Sequence, residues 1–164
     1  MEKLNIIVDT LEKKDLFLFK SYADVMVSKE YLKTGDYSIR GYTDSITIDR
    51  KASSGELYQN FGVDWKRFKA ELERMRSYDL AYFVCSFSYD HLRSFPEDSG
   101  IPKSRWEHLI CNAGFLRKTI HEIHEQYPNI EFLFFKNKYE AEEATYNLLK
   151  EYHSLQGGFN NNVE

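Results

Sequence analysis

Three short, nearly continuous apolar runs are spaced along the chain and are separated by amphipathic segments. They are LNIIVDT (4–10), LAYFVCSF (80–87) and IEFLFF (130–135). Runs of this length with so few polar residues are typical of strands that are buried on both faces. Amphipathic segments between such strands predict helices that pack on the sheet. The expected fold is therefore α/β, with a central mixed β-sheet flanked by helices.

The segments between these runs predict one hairpin and several helices. Residues 22–32 are read as extended or partly helical. YSIR (37–40) and SITIDRK (45–51) predict a β-hairpin, because the GYTD between them has the Gly and Asp of a turn. A loop is expected over 94–102. Helices are predicted from Ser53 or Ser54 to about Phe61, over 65–78 after an Asp64 cap, over 103–127 after Pro102, and over 140–152.

The composition is that of an ordinary globular protein, with 164 residues, 42% hydrophobic and 29% charged. A net charge of −4 argues against a protein that binds nucleic acid through charge alone, but not against an enzyme with an acidic site. We expect a cytoplasmic protein with two free thiols, Cys85 and Cys111, because neither a signal peptide nor a membrane span is recognisable. We expect a single domain over 1–155 and a flexible tail over 156–164.

Charged residues occupy the hairpin where strands ordinarily carry Val and Ile. Asp36 precedes the first strand, and Asp49 and Lys51 end the second. Residues two apart on a strand share a face, so Asp49 and Lys51 project together while Arg50 points away, and a tight hairpin can bring Asp36 beside them. Asp9, at the end of the first run, adds a further acid.

Two neighbouring carboxylates form a hard-oxygen site suited to Mg²⁺ or Mn²⁺. A lysine beside them can orient or deprotonate an attacking water and offset charge that develops on a phosphate. The pattern is thus that of a metal-dependent phosphodiesterase. A solvated hairpin with ordinary surface charges is the alternative, and the spacing by itself leaves both open.

Four motifs occur in order along the first half of the chain: VDTLE (8–12), GDY (35–37), IDRKA (48–52) and RFKAELERM (67–75). Together they resemble the XPF-type nuclease domain, a branch of the restriction-endonuclease-like PD-(D/E)-x-K superfamily. The resemblance implies a restriction-endonuclease-like fold and metal-dependent cleavage of branched or flapped DNA in repair or recombination. It also implies a small microbial or phage-type member, since the chain has no room for the tandem helix-hairpin-helix domain that eukaryotic members often add.

Carried over position by position, the resemblance implies that Asp36 and Asp49 ligate the metal, with Asp9 close to it. The backbone carbonyl of Arg50 would complete the coordination, and its side chain would support the site or contact DNA. Lys51 would be the catalytic lysine. The resemblance further implies supporting or DNA-contacting roles at Glu12, which matches the acid of the first motif, at Arg67 and at Glu71.

The sequence departs from the family pattern at several positions. Asp49 stands where Glu is usual, which still suits the superfamily. Gly55 stands where the family carries an acid, and Glu56 beside it is a candidate substitute. Ser86 stands where an acid is frequent. Because both acids and the lysine are kept, an enzyme is favoured over a non-catalytic DNA-binding or scaffolding module, and over a plain partner-binding domain.

Two further features have alternative interpretations. The predicted helix 65–78 carries basic residues near aromatic ones, and they form either a phosphate-contacting surface or a solvated face held by the pairs Arg67–Glu71 and Lys69–Glu73. The apolar stripe of the predicted helix 103–127 is either core or part of a homodimer surface. The basic residues are Lys66, Arg67, Lys69, Arg74 and Arg76, with Trp65 and Phe68 nearby.

Overall fold

The computed structural model describes residues 2–10 and 17–160, with side chains as far as residue 157. In these residues six strands form one mixed sheet, and helices cover both of its faces. The predicted α/β fold class is confirmed. The strands are β1 (Leu4–Asp9), β2 (Val25–Glu30), β3 (Tyr37–Ile39), β4 (Ile46–Lys51), β5 (Leu80–Cys85) and β6 (Ile130–Phe134).

The strand order is β2-β1-β3-β4-β5-β6. β1 pairs with β2 in parallel, β4, β5 and β6 are mutually parallel neighbours, and β3 is antiparallel to both β1 and β4. The predicted hairpin is therefore present, with Tyr37 opposite Ile48, and the ambiguous segment 22–32 contains a strand. This arrangement places the start of β3 and the carboxyl ends of the other five strands at one edge of the sheet.

The predicted helices occur in the expected order with changed bounds, and the structure adds a short helix, Asp90–Arg93, that was not predicted. The π-helical turn continues α1 directly, so the helical segment after the hairpin extends past the expected end at Phe61. The helices are α1 (Ser54–Tyr58), a π-helical turn (Gln59–Val63), α2 (Trp65–Met75), α3 (Asp90–Arg93), a 3-10 helix (Lys103–His108), α4 (Ala113–Gln126) and α5 (Lys138–Asn160).

The prediction of one helix over 103–127 is wrong. The 3-10 helix ends at His108, Leu109 takes an extended conformation with ψ 135°, and α4 begins only at Ala113. Asn112 caps α4, because its side-chain oxygen accepts a hydrogen bond from the backbone N–H of Phe115 at 2.9 Å. The apolar stripe is therefore divided between two elements.

The last helix is longer than the sequence predicts. α5 continues past residue 152 to Asn160, so the expected domain boundary at 155 falls inside a helix. Residues 161–164 of the predicted tail lie outside the described part of the chain. No helix in the described ranges is both long and apolar enough to cross a membrane.

Each face of the sheet buries its own apolar cluster. β5 contributes Ala81, Phe83 and Cys85 to the cluster under α2 and α4, and Val84 to the cluster under α5. Alternate residues of a strand point to opposite faces, so a strand covered on both faces must be apolar almost throughout. This explains why the run 80–87 shows no alternation of polar and apolar residues.

Candidate active site

A cavity of about 380 Å³ opens at the sheet edge where β3 begins and β4 ends. It brings together Asp36, Asp49 and Lys51, as the hairpin geometry predicts. Of its described lining residues, five are acidic and three are basic. The full lining is Asp36, Asp49, Arg50, Lys51, Glu56, Asn60, Asp64, Arg67, Phe68 and Glu71.

Asp36 is fixed between β1 and β4 by backbone and side-chain hydrogen bonds. Its N–H donates to the carbonyl of Ile48 at 2.8 Å, and its carbonyl accepts from the N–H of Asp9 at 2.8 Å. Its carboxylate Oδ2 accepts from the N–H of Arg50 at 2.7 Å. The preceding Gly35 has φ +76°, a conformation that other residues rarely adopt. The Gly-Asp dipeptide thus orients this carboxylate at the cavity.

Asp49 and Lys51 form a nearly buried ion pair, being 8% and 7% exposed. Lys51 Nζ lies 3.5 Å from Asp49 Oδ1 and 5.5 Å from the ring centre of Phe68. Burial opposes the charge on Lys51, but Asp49, Glu71 and the other acids nearby outweigh it and raise the pKa of the lysine. The side chain is therefore an ammonium ion in this site.

Glu71, on α2, lines the same cavity and interacts directly with Asp49. Burial, the charge of Asp49 and a hydrogen bond to Asp49 together raise the pKa of Glu71 to about 8, although Lys51 and Arg74 oppose the change. Two carboxylates this close cannot both ionise without cost. The pair consequently has a strong tendency to attract a positive charge.

The two predicted i, i+4 pairs on α2 do not form salt bridges in the described part of the chain. Glu71 is engaged with Asp49, and Glu73 instead pairs with Arg76 at 3.1 Å. Arg67 is exposed and lines the cavity. The two named pairs are therefore absent, whereas Arg76 does form an exposed pair on the same helix, and both interpretations of these basic residues stay predictions.

Gly55 cannot carry the acid that the resemblance leads one to expect. A Cβ atom there would lie 2.4 Å from the carbonyl oxygen of Ser99. Glu56, the predicted substitute, does line the cavity, and its Oε1 accepts a hydrogen bond from the N–H of Ala52 at 3.1 Å. Ser86 lies beside the site, where its N–H donates to the carbonyl of Lys51 at 2.8 Å.

We expect Gly55→Ala to lower the free energy of unfolding by about 2 kcal/mol, because the new methyl group must displace the Ser99 backbone. Gly157→Ala is the matched control. It is also a helical glycine, and nothing lies within 4 Å of its Cβ position. The control should be neutral or slightly stabilising. The denaturant midpoints, compared at a constant m value, measure the change in stability of both variants. Equal stability of the two variants would contradict the steric explanation.

Asp9 is not among the described residues that line the cavity. Its Oδ1 accepts a hydrogen bond from the N–H of Leu32 at 2.9 Å, and it is 7% exposed. Its backbone N–H donates a hydrogen bond to the carbonyl of Asp36, which lines the cavity. Its role near a metal stays a prediction. Glu12 lies outside the described residues. The Arg50 side chain stacks on Phe17, with Cζ 5.6 Å from the ring centre.

Three lining residues were not predicted as part of the site: Asn60, Asp64 and Phe68. A signal for the first two was present, because polar residues recur every four positions at Glu56, Asn60 and Asp64, the spacing of one helical face. The π-helical turn carries this face around to the cavity. Asp64 does not cap α2 through its side chain, since its Oδ2 accepts from Gln59 Nε2 at 3.0 Å.

The donor set fits a hard divalent cation that keeps part of its water shell. Among the described residues no three His, Cys, Asp or Glu side chains form a ready-made cation cluster. Mg²⁺, however, commonly takes only one or two protein carboxylates and completes its shell with water and phosphate oxygens. Asp36 and Asp49 supply such oxygens in a cavity where acids outnumber bases.

No protein-family model and no curated protein matches the sequence. Among solved structures, XPF from Aeropyrum pernix aligns with a TM-score of 0.64 and 16% identity, covering 91% of this chain and 65% of that one. The same protein in complex with DNA aligns with a TM-score of 0.64 and 17% identity, covering 93% and 66%. The chain thus spans slightly less than two thirds of the length of these structures. At this level of identity the comparison establishes architecture, and the chain has the fold of XPF.

Proposed function

We propose that this protein is a metal-dependent DNA endonuclease that hydrolyses phosphodiester bonds. The observation that carries the proposal is the meeting of Asp36, Asp49 and Lys51 in one acidic cavity on an XPF-like fold. The structural neighbour in complex with DNA supports DNA as the substrate. We extend the proposal to branched or flapped DNA in repair or recombination, and to a cytoplasmic location.

The ligands for Mg²⁺ or Mn²⁺ would be Asp36 and Asp49, with the Arg50 carbonyl as a further donor. The chemistry that such an ion supplies when bound is Lewis-acid polarisation of the phosphoryl oxygen. Lys51, held 3.5 Å from Asp49, donates hydrogen bonds that position the attacking water and offsets negative charge developing on the phosphate. Arg67 at the cavity rim contacts a phosphate of the substrate.

The proposal is tested by incubating the protein with labelled flap, fork, four-way junction and linear duplex DNA. Each substrate is assayed with Mg²⁺, with Mn²⁺ and with EDTA. We expect cleavage of the branched substrates with either ion and none in EDTA. Binding without cleavage under every ion would favour the scaffolding module. Homodimer formation stays a prediction, and light scattering in the same buffers measures it.

A further inference from the structure

An apolar pocket that shares no lining residue with the catalytic cavity lies between the start of α2 and α4. Its volume is about 240 Å³. Trp65 and Phe115 form its exposed walls, being 36% and 43% exposed, and the buried Phe61 and Ile123 form its floor. The polar side chains of Thr119, Glu122 and Gln126 complete the lining. The pocket therefore offers aromatic surfaces with polar groups beside them.

A positively charged surface connects this pocket with the catalytic cavity. Successive residues of an α-helix are rotated by about 100°. Around the exposed side of α2, Arg67 at the cavity rim is followed by Lys66, then by Lys69, and then by Trp65. A shallow hollow that contains Lys66 and Arg67 also shares Asp64 with the cavity. In the described residues none of these three cations forms a salt bridge.

We infer that this apolar pocket binds an unpaired base of a DNA strand whose phosphate lies in the catalytic cavity. The inference rests on the proposed function and narrows it to a substrate with at least a short single-stranded region. An unpaired base presents two apolar faces that stack on aromatic side chains, and its polar edge suits Gln126 and Glu122. A base within a duplex is already stacked on its neighbours and has no free face.

Charge complementarity favours a DNA strand over a second copy of the chain as the occupant. The approach to the pocket is lined by Arg67, Lys66 and Lys69, which match the phosphates of a strand that crosses α2. A second copy of the chain is also acidic, with a net charge of −4, but it has no phosphates to match this row of basic residues. An α-helix with its side chains is about 10–12 Å across, so a few nucleotides reach from the cavity to the pocket.

The inference is tested by fluorescence anisotropy with a labelled single strand about 12 nucleotides long and with the matching duplex. Ca²⁺ replaces Mg²⁺, because it takes the same oxygen ligands with a looser geometry. We expect Trp65→Ala and Phe115→Ala each to weaken single-strand binding about 10- to 100-fold and to leave duplex binding within about twofold. Trp65→Phe should retain most of the affinity.

Tyr139→Ala is the matched control, because Tyr139 is an exposed aromatic residue on α5 outside the pocket. It should leave both affinities unchanged. A second measurement uses Trp106→Phe, which leaves Trp65 as the only tryptophan. The fluorescence emission of Trp65 in this variant should be quenched by the single strand and not by the duplex.

Single-strand affinities within about twofold of the native value in both alanine variants would overturn the inference and leave the proposed function standing. A change of molecular mass in those variants, with unchanged DNA binding, would overturn it in favour of a contact between copies. If the native chain binds no DNA of any kind, the proposed function fails and this inference with it.

Discussion

Replacing Asp49 by Asn should reduce the rate of DNA cleavage by about 10³-fold or more. Asp49 combines two roles in the proposed mechanism, since it is a metal ligand and the ion-pair partner of Lys51. An amide of the same size supplies neither the charge for the cation nor the counter-charge for the lysine. Lys51→Ala should lower the rate by about 10²- to 10³-fold, because the charge developing on the phosphate loses its positive neighbour.

The chain offers a matched pair of controls. Lys33 and Asp44 form a salt bridge at the same 3.5 Å separation as Lys51 and Asp49, but both are exposed and neither lines the cavity of the candidate site. Asp44→Asn and Lys33→Ala should keep the native cleavage rate within about twofold. Single-turnover cleavage of a flap substrate compares the four variants at one Mg²⁺ concentration.

Stability measurements separate loss of chemistry from loss of folding. Without a metal ion, Asp49→Asn removes the counter-charge of Lys51 but also the repulsion on Glu71, so Glu71 can ionise in its place and the loss of stability should be small. Lys51→Ala leaves the buried carboxylates without their cation and should be less stable. Cleavage by a folded Asp49→Asn variant at more than about a tenth of the native rate would exclude the role we assign to this residue.

The sheet and the centre of the site are predictable because local rules determine them. The period of two along a strand puts Asp49 and Lys51 on one face, and the hairpin that closes at GYTD brings Asp36, just before its first strand, beside the end of its second strand. Continuous apolar runs identify the strands that are covered on both faces. None of these inferences requires knowledge of a distant contact.

What the sequence does not predict depends on distant contacts, or on local features that compete with a stronger pattern. Gly55 is required because the Ser99 backbone packs against it, and Asp9 is turned toward the N–H of Leu32. The break before α4 depends on the Asn112 cap, which competes with a helical pattern that is otherwise continuous. Asn60 reaches the cavity through a π-helical turn, and the propensities of single residues give no sign of such a turn.

Gly35→Ala should be the most destabilising of the glycine substitutions, at about 3–5 kcal/mol. Two costs combine at this position. The backbone has φ +76°, which an L-residue adopts only with strain, and a Cβ atom would lie 2.0 Å from Thr47 Oγ1. Thr47 is completely buried, and its hydroxyl donates to the carbonyl of Thr34 at 2.9 Å. Moving this side chain would leave a buried polar group without its partner.

Gly41→Ala separates the two costs. Gly41 has φ +89° and nothing within 4 Å of its Cβ position, so the substitution adds backbone strain without a clash. It should cost about 1–2 kcal/mol. The difference between the two variants in denaturant unfolding then measures the steric term, and equal losses would show that backbone conformation alone requires glycine at position 35.

A double-substitution cycle identifies the clashing atom. If Thr47 Oγ1 is responsible, Thr47→Ala should cost less in the Gly35→Ala background than in the native chain, with a coupling of about 1 kcal/mol or more. Because Gly35 precedes Asp36, whose carboxylate is held 2.7 Å from the N–H of Arg50, the displaced turn should also slow cleavage. Gly41→Ala, at the opposite end of the hairpin, should leave cleavage unchanged. Additive losses in the cycle would instead show that the strain is relieved elsewhere in the turn.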